Sequence, residues 1–186
     1  MSRYCAILAE GAGWDARAAE LLRMASKMHD IGKLGIADSI LLKPGKLSRE
    51  EYEVMKGHTD IGHQILRGSQ SELASMGALL AWTHHERIDG TGYPRGLRGD
   101  EIPVEGRIAA IADVFDALTT NRVYRRALLL DEALAIMREG RGRHFDAHLL
   151  DTFLGSLDLV LAAKDRPLDI GASFGAATAL SATPTG

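Results

Sequence analysis

Four places in the chain set histidine or aspartate into an apolar helical pattern, and they constrain the fold more than any other feature. They are His29-Asp30, His58, His84-His85 and Asp113. Apolar residues around each recur at the 3.6-residue spacing of an amphipathic helix. The polar side chains therefore turn towards the core, where an imidazole or carboxylate needs a hydrogen-bond partner or a cation. Taken singly, such a histidine is more often an ordinary core residue. The set is different, because several helical faces direct imidazoles and carboxylates inward at once.

The periodicity predicts helix over residues 3–10, 15–30, 48–66, 72–86, 104–120, 131–139 and 146–163. Asp15 is the expected N-cap of the second, and Ser48 with Glu51 forms a capping box for the third. The expected buried faces carry Leu22, Ala25 and His29; Val54, His58, Ile61 and Ile65; Gly77, Leu80, Ala81 and His84; and Ile108, Ile111, Ala112 and Phe115. Leu149, Leu150 and Phe153 form the last stripe. Gly32 and Gly35 are expected to end the second helix. No strand pattern and no internal repeat is present. The fold class is thus all-α, a bundle of about six to seven helices.

Residues 89–103 break this pattern with Gly90, Gly92, Gly96, Gly99, Pro94 and Pro103. A loop of that length inside one domain is usually functional, and it is expected to lie over the histidine cluster. Residues 164–186 are rich in Gly, Ala, Ser, Thr and Pro and carry no charge after Asp169. They are expected to be a disordered tail behind a domain spanning residues 1–163.

Net charge is −3, which gives no whole-chain attraction for polymeric nucleic acid. No apolar run reaches the ~18–20 residues of a membrane span, so no membrane contact is expected. With no signal-peptide pattern and a single cysteine, Cys5, a cytoplasmic and reducing setting is expected. Cys5 lies in an apolar helical run and reads as a buried thiol.

The chemistry of the cluster is that of a two-cation hydrolytic site. Donors are nitrogen and oxygen only. The Asp30 carboxylate has two oxygens and can bridge two ions. His29 and Asp113 can serve the first ion, and His58, His84 and His85 the second. Two such cations acidify a shared water and clamp an in-line phosphoryl displacement. Lys33 follows one turn later and can offer its charge to a phosphate oxygen.

The strings His29-Asp30-Ile31-Gly32-Lys33 and His84-His85-Glu86-Arg87-Ile88-Asp89-Gly90-Thr91-Gly92-Tyr93-Pro94 resemble the HD-GYP family, a bacterial branch of the HD-domain metal phosphohydrolases. The likeness continues through Ile102-Pro103, Arg107-Ile108, Ala112-Asp113-Val114-Phe115-Asp116, Arg122-Val123-Tyr124-Arg125 and His144-Phe145-Asp146. It covers roughly residues 1 to 155. Ala37, Ile88 and Ala147 depart from the residues most common in the family.

The resemblance implies hydrolysis of cyclic di-GMP by a metal-activated hydroxide, giving the linear dinucleotide, GMP or both. It implies two divalent ions, usually iron or manganese, held by His29, Asp30, His58, His84, His85 and Asp113. Lys33 and Asp30 would act at the scissile phosphate. Arg122 and Arg125 would hold substrate phosphates, and Tyr93 would line the entrance. The family commonly sits downstream of a receiver or sensor domain. Its earlier helix, with a glutamate and a histidine that also bind metal, aligns before Met1. The first ion is accordingly expected to be under-occupied and activity low, and the Leu21–Ala25 face is expected to lower stability or support a homodimer. Two other readings stay open at this level: a catalytically weak cyclic di-GMP receptor or interaction module, and an HD-type phosphohydrolase of another nucleotide.

Overall fold

The computed structural model describes residues 1–121 and 126–165. Its α-helices are α1 (Ser2–Gly11), α2 (Ala16–Ala25), α3 (Asp38–Leu41), α4 (Arg49–Lys56), α5 (His58–Leu66), α6 (Glu72–Thr83), α7 (Val104–Thr119), α8 (Leu130–Glu139), α9 (Ala147–Gly155) and α10 (Leu157–Asp165). There is no β-strand among the described residues, only isolated bridges between Asp89 and Arg98 and between Arg141 and Phe145. No helix among them is long and apolar enough to cross a membrane.

The expected caps are present. The Asp15 side chain accepts from Ala18 N, and Ser48 with Glu51 makes the reciprocal capping box. α7 runs through the core with Ile108, Ile111, Ala112 and Phe115 buried. Phe115 meets Tyr4 of α1 and Phe153 of α9 edge-on, with ring centroids 5.5 and 5.2 Å apart, the geometry aromatic quadrupoles favour. Cys5 is fully buried in this core, and burial pushes its thiol up to about 12, so it stays protonated.

Three boundaries differ from the sequence expectation, and all three bear on the site. The helix expected over 15–30 stops at Ala25 and gives way to 3₁₀ turns at Ser26–Met28 and Ile31–Gly35, so Gly32 and Gly35 do not end it. His29 and Asp30 therefore lie between two tight turns and not on an α-helix.

The helix expected over 48–66 divides at Gly57, whose N–H bonds Val54 O three residues back. That local tightening shifts the helical phase. His58 is buried while Val54 and Ile65, expected on the same inward face, are half exposed. Likewise 146–163 divides at Ser156. With α3 added, the bundle has more and shorter helices than the six to seven expected.

The turn over Ile31–Gly35 lies directly on α5. A Cβ on Gly32 would fall 1.9 Å from His58 O and 2.4 Å from Gly62 N. Only a glycine permits this approach of two backbones, and it brings Asp30 next to His58.

Candidate metal centre

Each histidine is set by its own backbone surroundings. His29 lies between the 3₁₀ turns and its Nδ1–H donates to Ser26 O at 2.7 Å. His58 opens α5, and its Nδ1–H donates to Met55 O at 2.7 Å, a carbonyl at the end of α4. His84 follows the last residue of α6, with Nδ1–H donating to Leu80 O at 2.8 Å. A carbonyl can only accept, so all three rings carry a proton on Nδ1. Their Nε2 atoms all point the other way, towards Asp30. A metal-binding imidazole usually has its other nitrogen anchored in this manner.

Asp30 joins two groups. Its Oδ1 lies 3.4 Å from His58 Nε2 and 3.9 Å from His84 Nε2, is buried, and has no hydrogen-bond partner. Its Oδ2 lies 3.3 Å from His29 Nε2 and 2.5 Å from Lys33 Nζ. His29 Nε2 is also 3.7 Å from Asp113 Oδ1. One ligand atom from each of Asp30, His58, His84 and His85 falls within 4.8 Å of all the others.

The electrostatics divide the histidines in the same way. Burial lowers the pKa of His58, lowers that of His84 strongly, and brings His85 to about 4, so these rings are neutral at physiological pH. Burial also opposes charge on His29, but hydrogen bonds to Asp113 and Asp30 outweigh it and raise its pKa to about 10. Burial likewise opposes charge on both carboxylates. Hydrogen bonding to His29 prevails, lowering Asp113 to about 2 and Asp30 further. The result is a ring of lone pairs, His58 Nε2, His84 Nε2 and Asp30 Oδ1, with no proton to share among them. A divalent cation is the partner such a donor set fits.

The glycine-rich loop lies against this cluster. Tyr93 N bonds His85 O at 3.2 Å, and the Tyr93 ring stacks on His85 with centroids 4.7 Å apart. Gly90, Gly96 and Gly99 take φ of +77°, +66° and +54°, as a loop of this curvature requires. Gly92 does not. A Cβ there would meet Arg87 N at 2.4 Å, so it serves close approach.

Sequence reasoning overlooked Glu86. Its carboxylate is buried and accepts from Arg95 N at 2.8 Å and Leu97 N at 3.0 Å, pinning the loop to the end of α6. The signal was present: an acid directly after two inward histidines cannot be solvated at a helix end. Tyr52 of α4, near-perpendicular to Tyr93 at 6.4 Å, was not predictable from local pattern. Arg122 and Arg125, expected phosphate contacts, lie outside the described residues, as does most of the expected tail.

Residues 1–149 match the model of the family described as HD domain. The chain is 49% identical over 154 residues to the cyclic di-GMP phosphodiesterase response regulator RpfG of Xanthomonas campestris, covering 83% of this chain and 41% of that protein. It is 42% identical over 161 residues to the 3′3′-cGAMP-specific phosphodiesterase 2 of Vibrio cholerae, covering 87% and 31%. In structure it is similar to Bd1817, an HDG"Y"P protein from Bdellovibrio bacteriovorus, with a TM-score of 0.65, 22% identity, and coverage of 84% of this chain and 50% of that one. This chain thus spans less than half the length of either curated relative.

Proposed function

The chain belongs to the HD-domain family, in its HD-GYP branch, and on that premise we propose that it is a metal-dependent phosphodiesterase acting on cyclic di-GMP. One observation carries this reading. Asp30 Oδ1 is buried without a hydrogen-bond partner and faces the unprotonated Nε2 atoms of His58 and His84. That arrangement is repulsive until a cation enters it.

Asp30 would span two ions, with His58, His84 and His85 on one and His29 and Asp113 on the other. Iron or manganese suits the nitrogen and oxygen donors. The set of Asp30 with three imidazoles is expected to hold its cation more firmly than the set of Asp30, His29 and Asp113. Bound divalent cations supply acidified water and neutralise charge on the phosphoryl oxygens.

The chain's own groups do the rest. Lys33 is paired with Asp30 and about a third exposed, 35% by side chain. Its ammonium can turn from the carboxylate to a phosphoryl oxygen. Tyr93 stacks on His85 and would line the entrance on that side of the cluster. Arg122 and Arg125 complete the reading as contacts to the second phosphate. Water adds to phosphorus, one P–O ester bond breaks, and the departing oxygen leaves with a proton, opening the ring to the linear dinucleotide. The name of the Xanthomonas relative supports coupling to a receiver or sensor domain.

The test is elemental analysis of anaerobically purified protein, with turnover of cyclic di-GMP, in wild type and Asp30→Ala. The variant should lose most of its metal and, on the order of 10²-fold or more, its turnover. Full turnover in metal-free protein, or a variant that keeps both properties, would overturn the reading.

A further inference from the structure

Trp82 stands two residues before His84 at the end of α6, about 200° round the helix from it, and so turns away from the metal cluster. It is half-buried, and the groups around it come from three segments. Its indole Nε1–H donates to Asp60 Oδ1 of α5 at 2.9 Å. The His63 ring, further along α5, stacks on the indole with centroids 4.1 Å apart and planes 18° from parallel. His63 is itself fixed, because its Nδ1–H donates to Ala78 O of α6 at 3.2 Å. From the glycine-rich loop, the guanidinium carbon of Arg95 lies 4.3 Å from the centroid of the Trp82 ring. A cation over an indole face is the strongest form of this contact.

Each of the segments joined here carries part of the site. α5 opens with His58, α6 leads into His84 and His85, and the loop carries Tyr93, which stacks on His85. Arg95 is held at two points. Its backbone N–H is bound by the buried Glu86 carboxylate, and its exposed side chain rests on Trp82. Only Pro94, whose ring fixes φ, separates Arg95 from Tyr93 in the chain, so a displacement of one is passed to the other.

We propose that Trp82 is a positioning residue of this site: by carrying the Arg95 guanidinium on its indole, it sets where the loop, and with it Tyr93, stands beside His85. The expected effect on turnover rests on the phosphodiesterase reading above, whereas the placement of the loop does not. Neither Trp82 nor Arg95 touches the cluster, so metal content is expected to stay constant when either is changed.

The test is amide hydrogen exchange over residues 91–97 together with the kinetics of cyclic di-GMP hydrolysis, on the full chain loaded with manganese. The variants are Arg95→Ala, Arg95→Tyr, Trp82→Leu and Trp82→Leu with Arg95→Ala. An exposed cation–π contact corresponds to about a two- to fivefold change in an equilibrium. In Arg95→Ala, exchange at Tyr93 and Leu97 should quicken by that factor and KM should rise by as much, with kcat and melting temperature unchanged. Arg95→Tyr, flat and uncharged, should stack on the indole and restore both, which a lost contact to a substrate phosphate would not allow. Trp82→Leu also loses Asp60 and His63, so its melting temperature should fall. Added to Arg95→Ala, however, it should raise KM no further, as expected of two residues acting through one contact. Unchanged exchange in Arg95→Ala would overturn the assignment, and so would additive effects on KM or no rescue by Arg95→Tyr. Faster exchange with KM unmoved would reduce Trp82 to a structural tie and overturn its role at the site. Exchange that depends on Arg95 in a protein without cyclic di-GMP turnover would sink the phosphodiesterase reading and leave the clamp on the loop standing. Turnover with exchange indifferent to Arg95 would do the reverse.

Discussion

Gly32→Ala should disable the cluster without touching any of its polar groups. Gly32 is not among the glycines of positive φ, so alanine meets no backbone strain there and the effect is steric. The new methyl would lie 1.9 Å from His58 O, 2.4 Å from Gly62 N and 2.8 Å from His58 C. All three are backbone atoms, which no change of rotamer can move aside. Restoring ordinary contact requires the Ile31–Gly35 turn to withdraw from α5 by roughly 1.5 Å, an overpacking that costs about 1–3 kcal/mol. In a chain of this size that lowers Tm by roughly 2–12 °C.

Asp30 precedes that turn, and its Oδ1 now lies 3.4 Å from His58 Nε2. Since a working constellation tolerates about 0.5 Å, metal affinity should fall about tenfold or more. Thermal melting and a competitive titration against a chromogenic chelator read the two effects separately. Unchanged Tm and unchanged affinity would refute the argument that backbone contact at Gly32 sets the Asp30–His58 spacing.

Glu86→Gln leaves one acceptor oxygen where two are used, so Arg95 N or Leu97 N loses its partner at a cost of about 1–3 kcal/mol. Limited proteolysis should then cut within residues 89–103 sooner, with helical circular dichroism unchanged. Asp146 caps α9 through His148 N and Leu149 N and pairs with Arg107 at 2.9 Å. Burial opposes its charge, but the Leu149 N–H and Arg107 outweigh that and lower its pKa. Its folded pKa being below the unfolded value, its contribution is full above about pH 4 and is lost as pH falls through the folded pKa. Asp146→Asn keeps the cap and loses the charge. It should cost about 1 kcal/mol at pH 7, a gap that closes in acid when melting is followed against pH. Arg122→Ala should raise the KM for cyclic di-GMP by on the order of 10- to 100-fold, as expected for a charge-assisted contact, while metal per chain stays constant. Loss of metal in that variant would assign Arg122 a structural role.

The histidines and aspartates of the cluster were legible because burial leaves a local trace. An imidazole that recurs in phase with apolar residues must face inward, whatever it meets there. The caps at Asp15 and Ser48 and the loop around Gly90, Gly96 and Gly99 were legible for the same reason, since each depends on residues within one turn. The inward direction of His58 was read from a helix continuous with Val54, and that reason was wrong. The helix breaks at Gly57, and the His58 Nδ1–H donates to the Met55 carbonyl at the end of α4.

The chain by itself therefore determined an all-α fold and which imidazoles and carboxylates turn inward, though not the helical placement of His29 and Asp30. Local spacing can encode the first two, because a helix repeats every few residues. Tertiary structure decided the rest. It placed Asp30 Oδ1 between His58 and His84 through the contact of Gly32 with α5, turned Glu86 into the anchor of the loop, and brought Tyr52 and His144 beside Arg87 from distant segments. Such distances depend on how closely two backbones approach and which carbonyls lie within hydrogen-bonding reach. Periodicity along one helix carries no record of either.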